Sequence, residues 1–338
     1  MRALRFHGAG QLRLEQVPEP DATDDAVVVA VTACGVCGSD LHFLDGTATT
    51  SRVPITLGHE VAGTIQSPGA SGLEPGTAVV AMVGDWCGSC RRCSEGRPNL
   101  CERVAVLGIH VDGGLADAVA VRVAAVVRIP PGLSPTAAAT AVDAGATAYH
   151  AVTRTASVKN GDTVLIIGVG GLGGYGVQMA RSAGAGVVIA ADVDPLALER
   201  ARTLGADEVI LIEPKGSLGR AVKLITDGGV DIAIEFVGRA ATVDAAVKSL
   251  RPGGRAVAVG VGSEPLTTIP PVLWSNNEYT LSGSYGSLPG DAEAVLANLA
   301  SGSLQPPAMT EVSLDEAATV MLAMSRGEAG GGRLMVIP

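Results

Sequence analysis

Two groups of cysteines carry the most chemistry in this chain. Cys34 and Cys37 stand at C-x-x-C spacing in "CGVCGSDLH", with Ser39, Asp40 and His42 just behind them. That spacing suits a redox dithiol, half of a metal site, or one ligand beside a bystander. Cys87, Cys90, Cys93 and Cys101 lie within fifteen residues of one another. Four soft thiolates at such spacing suit tetrahedral Zn2+, with an iron–sulfur cluster or unrelated free thiols as rivals. A closed shell of four cysteines leaves no exchangeable position, so this site would be structural. If it uses all four, the opening pair must find partners elsewhere. "PITLGHEVAG" offers His59 and Glu60 just before a strand. A catalytic zinc needs three protein ligands and one open position. One cysteine of the opening stretch and His59 supply two. A lone histidine before a strand is more often structural, but here a thiol and a nucleotide motif accompany it.

That motif is "LIIGVGGLGG", which sets Gly168, Gly170 and Gly173 in a G-x-G-x-x-G. In a chain with 45 glycines the pattern alone is weak. Its context is informative, because it follows a strand and opens a helix. Gly168 permits the tight turn, Gly170 lets the backbone approach a pyrophosphate, and Gly173 allows close helix–strand packing. The helix N-terminus offers amide donors to the anion. Asp192 ends the next strand, nineteen residues after Gly173. An acid there accepts hydrogen bonds from the ribose hydroxyls of NAD and repels the 2′-phosphate of NADP. No arginine immediately follows it. The competing reading is a glycine-rich turn with an ordinary strand-end aspartate.

These residues need a scaffold, and the composition bounds it. The chain has 338 residues, 47% hydrophobic and 17% charged, with a net charge of −10. That length predicts two domains. A negative surface with no basic run argues against nucleic acid. The opening "MRALRFHGAG" has no uninterrupted apolar core of a secretory signal. The longest apolar stretches are broken by glycine, which argues against a membrane span. A soluble, cytoplasmic protein is expected, and its six cysteines then point to metal or reactive thiols rather than disulfides.

Residues 1 to about 140 read as β-rich, with strand candidates at 26–34, 60–67, 77–83 and 117–129. From residue 144 strands and helices alternate. Strands are predicted at 163–168, 186–192, 208–212, 230–238 and 254–261, with helices at 172–185, 195–206, 218–226 and 241–251. Repeated β-α units imply a doubly wound parallel sheet, so the fold class is α/β. Beyond residue 285 come two amphipathic helices and a strand-like tail, "GRLMVIP", expected to pack back onto the first domain. The aromatics Phe43, Trp86, Trp274 and Tyr285 lie near motif segments, but such residues are more often core than pocket.

Together "GVCGSDLH", "GHEVAG", the Cys87–Cys101 lobe and "GVGGLG" resemble the zinc-dependent alcohol dehydrogenases of the medium-chain dehydrogenase/reductase superfamily. The likeness runs end to end in the family's order. "DAGATAYHA" and the ending "GGGRLMVIP" resemble bacterial NAD-dependent secondary-alcohol dehydrogenases, or carbonyl reductases. The resemblance implies a β-rich GroES-like catalytic domain over 1–144 and 285–338, and a Rossmann NAD-binding domain over 145–284. It implies one catalytic and one structural zinc per subunit, and NAD(H). Cys37 matches the first catalytic zinc ligand and Cys34 does not, leaving Cys34 a small buried strand residue. His59 matches the second ligand. Asp143 matches the third, where animal and yeast enzymes carry cysteine. Thiolate and carboxylate each carry one negative charge, so the exchange preserves the formal site charge. Glu60 matches a glutamate behind the zinc that ligates it transiently. Asp40 matches the acid that holds the histidine ligand's other nitrogen. Ser39 and His42 match the proton relay. Gly171 and Leu172 fall inside the nucleotide motif. Thr147 and Arg333 match positions near the nicotinamide ribose and the pyrophosphate. "EFVG", with Val237 and Gly238, and "VGVG", with Val259 and Val261, match the strand ends flanking the cofactor.

The implied function is reversible oxidation of an alcohol, preferably secondary, by NAD+, with a ketone or aldehyde as product, in a cleft between the domains. A homo-oligomer is implied, a tetramer or a dimer. A polyol or threonine dehydrogenase of the same superfamily is the neighbouring alternative. From another class, a non-catalytic zinc and nucleotide binder would not need the relay residues, and a zinc-free quinone reductase would not need the ligands.

Overall fold

The structure, a computed structural model, describes residues 1–214, 216–266, 269–328 and 332–338. Of the tail that carries part of the resemblance, Gly330 and Gly331 lie outside these residues. The chain divides into two compact units, Met1–Ala146 with Ser287–Pro338, and Thr147–Gly286. The junctions expected at 144/145 and 284/285 fall two residues before these. No helix among the described residues is long and apolar enough to cross a membrane.

The first unit is built on a seven-stranded sheet whose centre is Ala26–Gly35. This β-branched run buries both faces and pairs antiparallel with Glu60–Ser67, placing Gly35 opposite Glu60. The tail strand Arg333–Ile337 also pairs antiparallel with Ala26–Gly35, with Val336 opposite Cys34. Residues near the two ends of the chain thus reach the same sheet beside "CGVCGSDLH". The 117–129 run, read as one strand, divides in two. Ala118–Arg122 pairs with Ala26–Gly35, a 3-10 turn at Val123–Ala125 follows, and Val126–Arg128 pairs with Ala78–Ala81. The turn lets one apolar run serve two neighbours.

Two helical features of this unit escaped the sequence reading. Gly38–Leu44 forms a short helix straight after Cys37. Residues Pro135–Thr140 open a helix that widens into a π-helical segment at Ala141–Gly145. Ser134 caps its start, accepting from Ala137 N at 3.2 Å. Such π segments are rare and often mark functional positions; this one carries Asp143.

The second unit is a six-stranded parallel sheet with the spatial order Glu208–Leu211, Val187–Asp192, Thr163–Ile167, Val230–Glu235, Leu250–Ala258, Thr280–Gly283. Numbered along the chain this is 3-2-1-4-5-6, the doubly wound order. Leu165, Ile167, Ile189, Ala233 and Ala256 are fully buried in its core. The sixth strand and the helix Pro271–Asn277 before it were not anticipated. Trp274 packs on this core with its ring edge-on to Tyr279, and Phe43 in the first unit packs on Phe6, so both are core aromatics.

Candidate functional site

Cys37 caps the N-terminus of Gly38–Leu44, and that turn sets its sulfur beside His59 and Asp143. Ligand atoms of Cys37, His59 and Asp143 all lie within 4.8 Å of one another. His59 Nε2 is 3.5 Å from Asp143 Oδ2. Cys34 stays out of this group. It is fully buried, with Gly58 and Gly114 making room for its thiol; a Cβ there would meet its sulfur at 2.7 and 3.3 Å. Burial pushes the Cys34 thiol pKa well up, with the charge of Asp40 adding to the effect.

Glu60 stands outside the convergence too. Its carboxylate is fully buried and gripped by Arg333, whose Nε donates to Oε2 at 2.8 Å while Nη2 donates to Oε1. Ala144 N–H donates to Oε1 at 3.3 Å. Gly35 makes the approach possible, since a Cβ there would collide with the Glu60 carboxylate. The resemblance assigned Glu60 to the metal and Arg333 to a pyrophosphate. In this structure the two pair with each other, because a buried charge needs its counter-charge.

Asp40 also differs from expectation. Its Oδ1 lies 3.8 Å from His59 Nδ1, beyond hydrogen-bond distance, and that nitrogen has no partner. The Asp40 carboxylate is taken by two amides, Cys37 N–H at 2.9 Å and Gly58 N–H at 3.3 Å. Its position in the first helical turn makes it a cap before it is a histidine holder.

The electrostatics of the pocket fit a divalent cation. Glu60 and Arg333 cancel, leaving the side chains of Asp40, Asp143 and Cys37 around one imidazole. Burial alone would lower the His59 pKa, yet the charge of Asp40 and the bonds to Asp143 and Cys37 carry it well above its ordinary value. One soft sulfur, one imidazole and one carboxylate form a donor set suited to zinc with a position left open.

Two residues past Cys37, Ser39 Oγ lies 3.9 Å from the Cys37 sulfur. His42, one helical turn further, is 41% exposed. Its Nδ1 is 3.1 Å from Thr47 Oγ1 and 3.5 Å from Asp45 Oδ2, contacts that the sequence reading missed. A Ser, Thr or Asp within five residues of a helix-end histidine was the available signal.

The second cysteine group is compact. The paired strands Gly84–Asp85 and Ala105–Val106 close the base of the loop that carries it. Its sulfurs are separated by 3.4 Å (Cys87–Cys101), 3.6 Å (Cys90–Cys93), 3.8 Å (Cys90–Cys101) and 4.0 Å (Cys87–Cys93). The Ser89 amide, the Arg103 guanidinium and the Cys90 amide hold the Cys87 pKa down to about 5. Burial and the neighbouring sulfurs push Cys93 up to about 12. Four thiolates this close repel one another unless a cation lies among them, so this donor set also fits zinc.

In the second unit the nucleotide motif lies at the carboxyl ends of the parallel strands. Gly168 has φ of +81°, a conformation that favours glycine. A Cβ on Gly173 would run into the Gly168 carbonyl, so the helix Gly171–Ser182 packs tightly on its strand. Gly170 caps that helix with open space where its Cβ would be, and Gly171 and Leu172 form the first turn. Asp192 Oδ2 accepts from Val169 N–H at 2.7 Å, and its Oδ1 accepts from Asp194 N–H at 2.9 Å. This holds the carboxylate beside the glycine loop, and a carboxylate has lone pairs for further donors. Gly238, Gly260 and Gly262 let the segments after the fourth and fifth strands pack backbone on backbone, leaving Val237 and Val261 exposed and Val259 buried. Thr147 is buried in the turn of helix Ala146–Tyr149.

Comparison with known proteins agrees with this layout. The family model for an alcohol dehydrogenase GroES-like domain matches residues 23–131, and that for a zinc-binding dehydrogenase matches residues 171–301. Sorbitol dehydrogenase of Bacillus subtilis is 35% identical over 291 residues, covering 84% of this chain and 82% of that protein. An alcohol dehydrogenase of Geobacillus stearothermophilus is 34% identical over 329 residues, covering 95% of this chain and 94% of that one. The solved structure of an alcohol dehydrogenase from Thermus sp. ATN1 superposes with a TM-score of 0.90 at 33% identity, covering 100% of this chain and 99% of that one.

Proposed function

The chain belongs to the zinc-dependent alcohol dehydrogenases of the medium-chain dehydrogenase/reductase superfamily, and from that premise we propose that it interconverts secondary alcohols and ketones with NAD(H). The observation that carries this reading is the convergence of Cys37, His59 and Asp143. These three side chains would hold a catalytic zinc, and Cys87, Cys90, Cys93 and Cys101 a structural one. Bound at the first site, zinc supplies Lewis-acid polarisation of the substrate oxygen and stabilises charge developing on it.

The chain's own groups do the rest. Ser39 Oγ, beside Cys37, takes the substrate's hydroxyl proton as it hands its own on along the relay, and half-exposed His42 passes a proton to water. Gly168, Gly170 and Gly173 admit a pyrophosphate to the helix N-terminus, helped by Gly171 and Leu172. Asp192 accepts from the ribose hydroxyls and disfavours a 2′-phosphate. Val237, Gly238, Val259 and Val261 offer backbone groups at the strand ends, and Thr147 a hydroxyl near the ribose. Arg333 keeps Glu60 away from the metal.

A polyol substrate is the second reading, favoured by the similarity to sorbitol dehydrogenase. NADH absorbance with a panel of secondary alcohols, polyols and ketones, with NAD and NADP and with metal content measured in parallel, decides between them. No turnover at full zinc occupancy would leave only a zinc and nucleotide binder.

Self-association completes the proposal. Thr280–Gly283 is an edge strand, and in the adjoining helix Pro271–Asn277, whose Trp274 is only partly buried, Val272 is 59% and Leu273 43% exposed. An unpaired edge beside exposed apolar side chains supports pairing with a second copy, and a tetramer of such pairs. A cytoplasmic location fits six free cysteines, five of them grouped for metal. Light scattering on the eluted protein tests the mass.

A further inference from the structure

His42 and the turn behind it form a hydrogen-bond chain whose direction is fixed by counting protons. Thr47 Oγ1 lies 2.5 Å from Asp45 Oδ1 and 3.1 Å from His42 Nδ1. Thr47 N–H donates to the same Asp45 oxygen at 2.8 Å. The turn is held by Asp45 N–H to Leu41 O at 2.9 Å and Ala48 N–H to His42 O at 3.0 Å. These bonds fix the spacing of the three side chains.

A threonine hydroxyl has one proton, and an ionised carboxylate can only accept. Two oxygens 2.5 Å apart need a proton between them, or their lone pairs repel. Asp45 is in its ionised form near neutrality: burial raises its pKa, but the Thr47 and His42 contacts outweigh that and hold it below the usual range. The Thr47 proton therefore lies on the bond to Asp45. Toward His42 the Thr47 oxygen offers only a lone pair. Nδ1 must be the donor in that contact, so the proton of neutral His42 sits on Nδ1 and the free lone pair on Nε2.

We infer that Thr47 and Asp45 are positioning residues that lock His42 in its Nδ1–H tautomer, so that Nε2 is the atom that receives the relayed proton. The inference rests on the relay role proposed above. Nε2 takes up a proton from the relay and releases it to water, while the Nδ1–H bond to Thr47 persists throughout. No other bond forms or breaks. Free imidazole of histidine in water favours the opposite, Nε2–H tautomer, so the turn works against the intrinsic preference.

The test is 15N magic-angle-spinning NMR of the zinc-loaded full-length protein, labelled at its 5 histidines, at a pH where His42 is neutral. His42→Gln identifies the signals by difference. The expected spectrum has His42 Nδ1 protonated and Nε2 bare. Asp45→Asn and Thr47→Val should move the pair toward Nε2–H, while Thr47→Ser keeps it. In the first two variants kcat should fall about tenfold with KM little changed, a part of the 10²–10⁴ that general acid–base groups supply. A wild-type Nε2–H signal, or variants that leave the tautomer unchanged, would overturn the inference. An unchanged kcat in His42→Gln would instead overturn the relay reading, and with it the role given to this tautomer.

Discussion

Arg333 and Glu60, 273 residues apart in sequence, form a buried bidentate ion pair directly behind Asp143. Arg333 Nη2 also lies 3.9 Å from Asp143 Oδ2. The pair joins the tail strand to the first residue after His59 and removes one negative charge from the pocket. Arg333→Leu strands the Glu60 carboxylate, so unfolding in urea should show a loss of about 3–5 kcal/mol. The double variant Glu60→Leu/Arg333→Leu should recover most of that loss. If the single variant is no less stable than the double, the pair does not balance charge as described.

The cysteine lobe should be separable from catalysis. Cys101→Ser should lower zinc content by one per chain and lower the melting temperature. A loss of about 3 kcal/mol corresponds to roughly 6–12 °C for a unit of this size. Turnover at low temperature should persist, because Cys37, His59 and Asp143 are untouched. Unchanged zinc content would remove Cys101 from the ligand set.

Asp207 gives the second unit a pH signature. Burial raises its pKa, but the Val188 amide and the Arg181 guanidinium together outweigh that and hold it below the usual value. A depressed carboxylate stabilises the fold above its unfolded pKa, about 3.9, and that contribution disappears as pH falls through the folded value. The wild type should therefore exceed Asp207→Asn in stability at pH 7 and show less of that advantage at a pH below the unfolded value. Both partners are more than a third exposed, so the difference should stay below about 1 kcal/mol and shrink with salt. Denaturant titrations at the two pH values read it directly.

Cofactor choice should turn on Asp192. In the proposed reading Asp192→Ala removes a charged acceptor of ribose hydroxyls, which costs about 1.5–3 kcal/mol. NAD-dependent kcat/KM should fall about 10- to 150-fold. NADP should gain relative to NAD, since the repulsion of its 2′-phosphate goes with the carboxylate. Steady-state kinetics with both cofactors measures the ratio; an unchanged ratio would take Asp192 out of the ribose site.

How legible this was depended on distance along the chain. The α/β class and the strand–glycine-loop–helix unit around Gly168 were readable because a short run of residues carries all of their constraints. The four-cysteine lobe was equally local. The partner of Glu60 was not readable, since strand pairing of the tail with Ala26–Gly35 brings Arg333 there and no local pattern encodes it. The helix Pro135–Thr140 and its π-helical continuation around Asp143 went unread, because the first 140 residues read as β-rich and no local pattern marks a π turn. The Asp45–Thr47 anchor is local yet was missed, because "CGVCGSDLH" ends at His42 and the anchor lies in the turn beyond it. Spacing alone left the Cys34/Cys37 pair open and the resemblance set Cys34 aside; Cys34 is the penultimate residue of a buried strand while Cys37 lies beyond it.

The central claim is that Cys37, with His59 and Asp143, holds the metal on which turnover depends. The most direct measurement is zinc per chain together with NADH formation from a secondary alcohol, in Cys34→Ala, Cys37→Ala and Asp143→Ala. Cys37→Ala and Asp143→Ala should each lose one zinc, with turnover down about 10³-fold or more, as expected when several kcal/mol of Lewis-acid stabilisation go. Cys34→Ala should keep its zinc and its turnover. Loss of zinc from Cys34→Ala while Cys37→Ala retained metal and turnover would contradict the account.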